Sequence, residues 1–494
     1  MISLIRIENL SVHTNDQQCL VEPISLSLQA GRNLTILGET GSGKSLLAQA
    51  IMGVLPHSLT TKGRVFLFDQ ETSLKHRRHY WGKQIAMLPQ EPSRALDPTM
   101  TILKQTWESH HYVAKQPSST AKQLSLLQLQ SLSLDSATHH YPHQLSGGMA
   151  QRAAFAIATG AGATIVIADE PTKGLDYKNK QTIIAMLNHV TQQGGSVLTI
   201  THDIEVVSQL GGDVMVMKKG QLLEFGEATQ LLTLPRSEYA QQLIKASPRH
   251  WKEKPVLPLK IEDTKGNSST NLSASPSDSP KRTTTKVLPL LSVTNLAIHR
   301  GKKKLFDNLS FDLKQGECLG IYGPSGTGKS SLGDALCGLL SPSEGSIRWQ
   351  QSLPPQTILK LYQDPPTAFA SQVSLQTLLE DVIRRHQLDS SRIPTLLQQL
   401  KLQPELLSRS AHHVSGGELQ RIAILRVLLF NPKLIFADEV TSRLDPITQK
   451  ETIALLLEQC QQSHCALVLV SHDIDLLKHS CHQVINLENY TQKN

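Results

Sequence analysis

The sequence of 494 residues lacks an apolar run long enough to cross a membrane. Residues 422–430 form one of the longest apolar stretches, yet they include an arginine and fall far short of the roughly 20 residues that a spanning helix needs. The first residues have the pattern of a strand rather than of a signal peptide. None of the six cysteines belongs to a C-x-x-C pair. We therefore expect no disulfide framework and no zinc site, and a reducing cytosol suits these thiols.

The formal net charge of +7 lies mostly in one segment. Residues 245–286 contain nine Lys or Arg and four Asp or Glu, and they are rich in Ser, Pro and Thr with little hydrophobic period. A protein that binds nucleic acid would instead carry its cations on the folded domains. We therefore expect a solvated, disordered basic linker and no nucleic-acid partner, with weak attraction to anionic lipid as the alternative.

Two copies of the phosphate-binding pattern G-x-x-x-x-G-K-[ST] organise the chain. In each, the glycines let backbone N–H groups curl around phosphate, and the following helix offers its positive end to the same anion. We expect the lysine to reach the β- and γ-phosphates and the last serine to ligate Mg²⁺. The first copy consists of Gly38, Glu39, Thr40, Gly41, Ser42, Gly43, Lys44 and Ser45, and the second of Gly323, Pro324, Ser325, Gly326, Thr327, Gly328, Lys329 and Ser330.

An apolar strand that ends in two acids follows each copy of this phosphate-binding pattern, which is called a P-loop. Residues 164–169 lead to Asp169 and Glu170, and residues 433–438 lead to Asp438 and Glu439. Such apolar runs are typical of buried parallel strands, whose carboxyl ends are where α/β sheets bind ligands. We expect the first acid of each pair to hold Mg²⁺, directly or through water. The second acid is placed to activate the attacking water as a general base.

Two further polar residues occur at matching places in both halves. Gln90 and Gln363 each follow a short apolar strand and are candidate sensors of the metal ion and the water. His202 and His472 also follow apolar strands, in the contexts T-H-D and S-H-D. We expect these histidines to contact the γ-phosphate and to belong to the catalytic set.

A third repeated motif carries the resemblance to a known family. Ser146, Gly147 and Gly148, and likewise Ser415, Gly416 and Gly417, open a helix with a serine cap. Together with the P-loops, they make the chain resemble the ATP-binding cassette (ABC) family. The resemblance implies an α/β fold of two P-loop NTPase domains, each with a mainly parallel RecA-like core sheet, an antiparallel β subdomain and a helical subdomain. It also implies head-to-tail pairing, in which each ATP lies between one P-loop and the other domain's S-G-G motif.

A closer resemblance is to the ATPases of oligopeptide, dipeptide and nickel importers. It is visible at residues 141–146 (Y-P-H-Q-L-S), at residues 90–98 (Q-E-P-S-R-A-L-D-P) and at residues 235–239 (P-R-S-E-Y). Such importers normally use two ATPase chains, and this chain looks like both of them fused into a pseudo-dimer. The resemblance implies an ATP- and Mg²⁺-dependent energy-coupling subunit of a bacterial importer for peptides or for nickel or other metal chelates.

The same resemblance implies the partners and the location. Integral-membrane permease subunits and, through them, an extracytoplasmic substrate-binding protein would be the partners. The chain would be peripheral, on the cytoplasmic face of the bacterial inner membrane. Residues 91–101, and their counterpart at 364–372 with Phe369 as an apolar anchor, would meet the permease, since both segments are poor in cations.

The repeat predicts three parts: a first ABC domain over residues 1–244, a linker over 245–287 and a second ABC domain over 288–494. Two alternatives stay open at this point. A ribosome-associated translation factor also fuses two cassettes without membrane spans, although its linker is typically a long, charged helix. A fused sugar-importer ATPase usually has one degenerate site, whereas both sites here keep Lys, Asp, Glu and His.

Overall fold

The computed structural model describes residues 3–251, 288–301, 303–363 and 369–491. Most of the predicted linker at 245–287 and part of the segment at 364–372 therefore lie outside the described residues. The chain groups into two compact units, one of Met1–Trp251 with Ser442–Glu451 and one of Lys252–Thr441 with Thr452–Asn494. Residues 3–251 are called the first half below, and residues 288–491 the second half.

The first half alternates strands and helices in the way that α/β folds do. A π-helical turn at Ser109–Val113 continues the fourth helix. The elements in chain order are β1 (Ser3–Thr14), β2 (Cys19–Gln29), β3 (Asn33–Leu37), α1 (Lys44–Met52), β4 (Leu59–Leu67), β5 (Gln70–Glu71), α2 (Leu74–Arg77), β6 (Ile85–Leu88), α3 (Pro92–Ala95), α4 (Ile102–Glu108), α5 (Ser118–Ser131), α6 (Gly147–Thr159), β7 (Ile165–Asp169), α7 (Tyr177–Gln192), β8 (Ser196–Thr201), α8 (Ile204–Leu210), β9 (Asp213–Lys218), β10 (Gln221–Glu227), α9 (Ala228–Thr233) and α10 (Glu238–Ala246).

Two sheets make up the first half. The core sheet has the order β10-β9-β3-β8-β7-β6, in which every pair is parallel except β10 with β9. Every residue of β3, β7 and β8 is buried, which explains their near-continuous apolar sequences. A second sheet, β2-β1-β4-β5, is antiparallel. A separate apolar cluster joins α4, α5 and α6, with Leu96, Ile102 and Leu129 among its buried members.

The second half repeats this plan with fewer elements. Its core sheet, β15-β16-β17-β13-β18, is wholly parallel, and its antiparallel sheet has the order β12-β11-β14. The elements are β11 (Leu291–Arg300), β12 (Lys303–Leu313), β13 (Cys318–Tyr322), α11 (Lys329–Leu336), β14 (Glu344–Trp349), β15 (Ile358–Leu361), α12 (Leu375–His386), α13 (Ile393–Gln399), α14 (Gly416–Leu428), β16 (Leu434–Asp438), α15 (Pro446–Gln462), β17 (Ala466–Val470), α16 (Ile474–Ser480) and β18 (Gln483–Asn486).

The predicted fold class is confirmed, since each half combines a parallel core sheet with an antiparallel sheet and helices. One helix is shorter than the sequence suggests. The apolar residues 332–340 favour a helix over their whole length, but α11 ends at Leu336. Gly338 takes a φ of 72°, and the N–H of Leu339 turns back to the carbonyl oxygen of Asp334 at 2.7 Å. No helix within the described residues is both long and apolar enough to span a bilayer.

Candidate functional site

The first P-loop lies between β3 and α1, and Gly43 and Gly38 show why its backbone requires glycine. Gly43 has a φ of 94°, in the left-handed region, and α1 begins at the next residue. A Cβ on Gly38 would lie 2.2 Å from the carbonyl oxygen of Met217, so a larger residue there would displace β9. The glycines therefore form a tight turn that leads directly into the positive end of α1.

Lys44 places a buried ammonium group inside this loop. Its Nζ donates hydrogen bonds to the carbonyl oxygens of Gly38 and Glu39, at 2.8 and 2.7 Å. Burial lowers the pKa of Lys44, and the nearby carboxylates of Glu170 and Asp169 partly compensate for it. The ammonium group of Lys44 thus lies where the phosphates of the nucleotide are predicted to bind.

Asp169 ends β7 and faces the hydroxyl group that follows Lys44. Ser45 Oγ donates a hydrogen bond to Asp169 Oδ1 at 3.1 Å. Burial raises the pKa of the Asp169 carboxyl group, although the bond from Ser45 opposes that effect. A carboxylate and a hydroxyl oxygen are hard ligands of the kind that Mg²⁺ takes in nucleotide sites. The residues of the first site therefore fit the predicted metal ion.

The second acid of each pair has an unusual backbone conformation. Glu170 and Glu439 have φ values of 47° and 50°, in the left-handed region, which costs about 1–2 kcal/mol for a residue other than glycine. The N–H of Glu170 bonds to Ile200 in β8 at 2.8 Å, and the N–H of Glu439 bonds to Val470 in β17 at 3.2 Å. This turn brings each carboxylate towards the end of the neighbouring strand, where the predicted histidine follows.

Glu170 and His202 form a close, largely buried pair. His202 Nδ1 lies 2.8 Å from Glu170 Oε1. Burial alone would raise the pKa of Glu170, but His202 and the ammonium groups of Lys44 and Lys173 outweigh burial and lower it. A carboxylate that stays ionised near neutral pH can accept a proton from water, as a general base must.

The second site repeats these contacts around Glu439. Lys329 Nζ donates to the carbonyl oxygen of Gly323 at 2.8 Å and lies 3.6 Å from Glu439 Oε1. His472 Nε2 lies 2.7 Å from the same carboxylate oxygen, and Gln363 Nε2 donates to Glu439 Oε2 at 2.8 Å. Burial would raise the pKa of Glu439, but His472 and Lys329 together lower it. Four residues predicted from the sequence therefore meet here.

Comparison with known families matches both halves. The family model described as "ABC transporter" matches residues 21–173 and 306–442, which together make up more than half of the chain. The chain belongs to the ABC transporter family. This confirms the predicted resemblance, and it makes the chain an ATP-binding ATPase whose hydrolysis serves transport.

Curated ABC relatives extend over nearly the whole chain. The uncharacterized ABC transporter ATP-binding protein YejF of Escherichia coli (strain K12) is 32% identical over 98% of this chain and 94% of its own length. The glutathione import ATP-binding protein GsiA of the same organism is 30% identical over 98% of this chain and 84% of its own length. Among solved structures, RNase-L Inhibitor covers 97% of this chain with a TM-score of 0.64 at 18% identity, which shows a shared fold alone.

The two sensor glutamines of the ABC halves differ in their surroundings. Gln363 reaches Glu439, as described above. Gln90 is exposed beyond β6, and among the described residues its side chain makes no hydrogen bond. The structure therefore bonds Gln363 to a residue of the second site, whereas the Gln90 side chain forms no hydrogen bond to Lys44, Asp169 or Glu170.

Both ABC signature motifs begin helices as the sequence predicts. Ser146 Oγ accepts a hydrogen bond from the N–H of Met149 and caps α6. Ser415 caps α14 in the same way, and Glu418 completes a capping box by accepting a bond from the N–H of Ser415. Each cap takes up one N–H group of the first helical turn, and the N–H groups of the two glycines before it are the ones placed to meet an anion.

Two residues that contact the candidate sites were not predicted from the sequence. The hydroxyl oxygen of Tyr239, in α10, accepts a hydrogen bond from the P-loop N–H of Glu39 at 2.8 Å. Lys360, in β15, lies 3.2 Å from the Asp438 carboxylate. The only sequence signals were the family-like P-R-S-E-Y segment for Tyr239 and a charge within an otherwise apolar strand for Lys360.

Proposed function

We propose that this chain is the energy-coupling ATPase of a bacterial importer that carries small peptides into the cell. The observation that carries the proposal is a match over 98% of the chain to a relative named for import of glutathione, itself a small peptide. The two complete sets of site residues support an importer that hydrolyses ATP in both halves. Nickel or another metal chelate is the alternative cargo, favoured only by the sequence motifs shared with nickel importer ATPases.

The proposed chemistry assigns one role to each repeated residue. Mg²⁺ supplies charge neutralisation and orientation of the phosphates when bound, and the P-loop N–H groups and lysines hold the nucleotide. The general bases activate water, and the histidines contact the γ-phosphate. In this proposal the lysines are Lys44 and Lys329, the bases Glu170 and Glu439, the histidines His202 and His472, and the metal-binding residues Ser45, Gln90, Asp169, Ser330, Gln363 and Asp438.

Permease subunits and an extracytoplasmic binding protein are the proposed partners, with this chain peripheral on the cytoplasmic face of the inner membrane. The pairing of each P-loop with the signature motif of the other domain stays a prediction. So do the domain boundaries at residues 244 and 288. All of these rest on the importer relatives and on the motifs.

The segment that follows Gln90 is the proposed contact with the permease. Leu96 is buried in the cluster of α4, α5 and α6, which ties the segment to the helical region. Gln105 of α4 bonds to both the N–H and the carbonyl oxygen of Asp97, each at 3.0 Å. In this proposal a displacement at Gln90 reaches α4 through Asp97, which two hydrogen bonds tie to Gln105. This supports a coupling role for residues 91–101.

The counterpart in the second half differs from the sequence expectation. Residues 364–368 lie outside the described residues, and Phe369 is 6% exposed. The guanidinium carbon of Arg426 lies 4.6 Å from the centre of the Phe369 ring and covers it. Phe369 therefore belongs to the interior of its own half, and its burial does not support its predicted role as an apolar anchor for the permease.

Site-specific crosslinking tests the proposal. The exposed Cys19 is first replaced by serine, and Ser93→Cys, in α3, is crosslinked in native membranes. The expected product joins the chain to a cytoplasmic loop of a membrane-spanning protein. Gln70→Cys, exposed on β5, is the matched control and should give no such product. Crosslinks from Ser93→Cys to ribosomal proteins would favour a translation factor, and a lack of any product would contradict docking at this segment.

A further inference from the structure

The two halves place different residues beside the carboxylate that is proposed to hold the metal ion. Strand β6 pairs with β7 so that Met87 lies opposite Ile167, two residues before Asp169. Strand β15 pairs with β16 so that Lys360 lies opposite Phe436, two residues before Asp438. The matching registers show that Met87 and Lys360 occupy the same position in the two sheets. One half thus has a thioether where the other has an ammonium group.

Lys360 directly contacts the carboxylate of Asp438, which is proposed to bind the metal ion. Its Nζ lies 3.2 Å from Asp438 Oδ2 and donates a hydrogen bond to the backbone carbonyl oxygen of Ser330 at 3.2 Å. A third contact, at 3.1 Å, joins it to Asp334 Oδ1 on α11. The Lys360 side chain is 6% exposed. The ammonium group is therefore a buried and fixed part of the second site rather than a surface charge that happens to be near.

The first site has no ionisable residue at the corresponding positions. Gln49 stands where the second half has Asp334, since each lies five residues after its P-loop lysine, and Met87 stands where the second half has Lys360. Asp169 is instead bonded to the hydroxyl of Ser45. Among the described residues Asp169 forms no ion pair, although the ammonium groups of Lys44 and Lys173 act on it from farther away. The carboxylate of the first site is therefore in contact with a hydroxyl group, whereas that of the second site is already in contact with an ammonium group.

We propose that Lys360 makes the two nucleotide sites unequal, so that the second site binds the divalent cation of ATP more weakly than the first. The inference rests on the proposed metal-binding roles of Asp169 and Asp438. A cation that reaches Asp438 must displace the ammonium group of Lys360 and then remain close to it. Asp334 can keep hold of the displaced lysine, which makes the binding weaker but not impossible.

The size of the difference follows from the charges. If the ammonium group of Lys360 stays within about 5 Å of the divalent cation in a partly solvated site, the two positive charges repel each other. This repulsion is strong enough to weaken binding of the cation at least tenfold. The first site should therefore fill with divalent cation at a concentration at which the second is still largely without it. At limiting Mg²⁺ the two halves would act in a fixed order, with the Lys44 site ready to hydrolyse ATP before the Lys329 site.

Manganese binding to the full chain tests this proposal without measuring activity. Mn²⁺ is titrated in the presence of a non-hydrolysable ATP analogue, and the free ion is followed by electron paramagnetic resonance. The wild type should show a tight and a weak class of nucleotide-dependent sites that differ at least about tenfold in Kd. Lys360→Met should tighten the weak class towards the tight one, and the reciprocal Met87→Lys should weaken the tight class.

Each variant places in one half the residue that the matching strand position holds in the other half. Binding of the analogue without divalent ion, together with thermal melting, shows that Lys360→Met is folded. If Met87→Lys fails to fold, Lys360→Met alone decides the question. Two equal Mn²⁺ classes in the wild type, or an isotherm that Lys360→Met leaves unchanged, would overturn the inference.

The assignment of the metal-binding residues is tested separately. Asp169→Asn should remove the tight class and Asp438→Asn the weak one. If neither substitution affects Mn²⁺ binding, the proposed roles of these two carboxylates are wrong, and the inference about Lys360 fails with them. If both act as expected while Lys360→Met does not, the proposed function stands and only the inequality of the sites is refuted.

Discussion

The phenolic oxygen of Tyr239 accepts a hydrogen bond from the backbone N–H of Glu39 at 2.8 Å, which joins α10 to the first P-loop. Tyr239 is 4% exposed, and Lys218 Nζ lies 4.5 Å from the centre of its ring. The Tyr239 side chain is thus held on both sides, and its hydroxyl supports the turn that is proposed to bind phosphate. In the described part of the second half, the chain past β18 continues only into a short 3₁₀ turn, Leu487–Tyr490.

Tyr239→Phe should destabilise the first half, because it leaves a P-loop N–H without its partner. We expect a loss of about 1 kcal/mol, or roughly 2–4 °C in Tm for a domain of this size. Differential scanning calorimetry of the full chain without nucleotide would measure it. Lys218→Met keeps the hydroxyl and removes only the cation above the ring, so its Tm should change less. Equal effects of the two substitutions would contradict a role for the hydroxyl.

Glu170→Gln and Glu439→Gln should each reduce steady-state ATP hydrolysis while leaving ATP binding intact. The amide keeps the size and polarity of the side chain but cannot accept the proton of the attacking water. Loss of a general base typically costs roughly 100-fold or more at the affected site. Turnover should be measured in the complete transporter, beside equilibrium binding of labelled ATP. Unchanged turnover for either variant would refute hydrolysis at both sites.

Acid should destabilise the protein partly through Glu170. Its folded pKa lies below the ordinary value of 4.5, because His202, Lys44 and Lys173 outweigh burial. The ionised carboxylate therefore stabilises the fold above the ordinary pKa, and this contribution is lost as pH falls through the folded pKa. Between about pH 6 and about pH 3.5, the Tm of Glu170→Gln should fall less than that of the wild type.

A matched control for the acid experiment is available on the surface. Glu71→Gln, in the exposed strand β5, should follow the wild type over the same pH range. If the Tm of Glu170→Gln falls as steeply as that of the wild type, the carboxylate contributes no pH-dependent stability through its contact with His202. The measurement thus tests the electrostatic account of the pair separately from its role in hydrolysis.

The basic segment between the two halves remains a prediction from composition, since residues 252–287 lie outside the described residues. A chain so rich in Ser, Pro, Thr and Lys cannot bury enough apolar surface to offset the entropy of ordering it. Limited proteolysis should cut first between residues 247 and 286. The nicked halves, kept at high concentration, should still hydrolyse ATP. Loss of activity on nicking would show that the linker contributes to the chemistry.

Local patterns predicted the loops, strands and helix starts that carry most residues of both candidate sites. Some features depend only on residues that are neighbours in the chain, so a single sequence is enough to predict them. They are the P-loops, the strands that carry Asp169 and Asp438, and the helix caps Ser146 and Ser415. Contacts between distant segments were not visible. Tyr239 reaches a loop 200 residues earlier, and Lys360 meets Asp438 only because β15 pairs with β16 in one register. Lys360 is a charged residue within an otherwise apolar strand. This pattern indicates that the lysine has a buried partner, but it does not identify the partner.

Transport itself tests the central claim most directly. The chain, its proposed permeases and the binding protein are reconstituted in proteoliposomes, and uptake of a labelled small peptide is followed with and without ATP. Importer function predicts ATP-dependent uptake that Lys44→Ala or Lys329→Ala abolishes, together with hydrolysis that loaded binding protein stimulates. Peptide-independent hydrolysis without uptake, combined with salt-dependent co-sedimentation of the chain with ribosomes, would contradict the account.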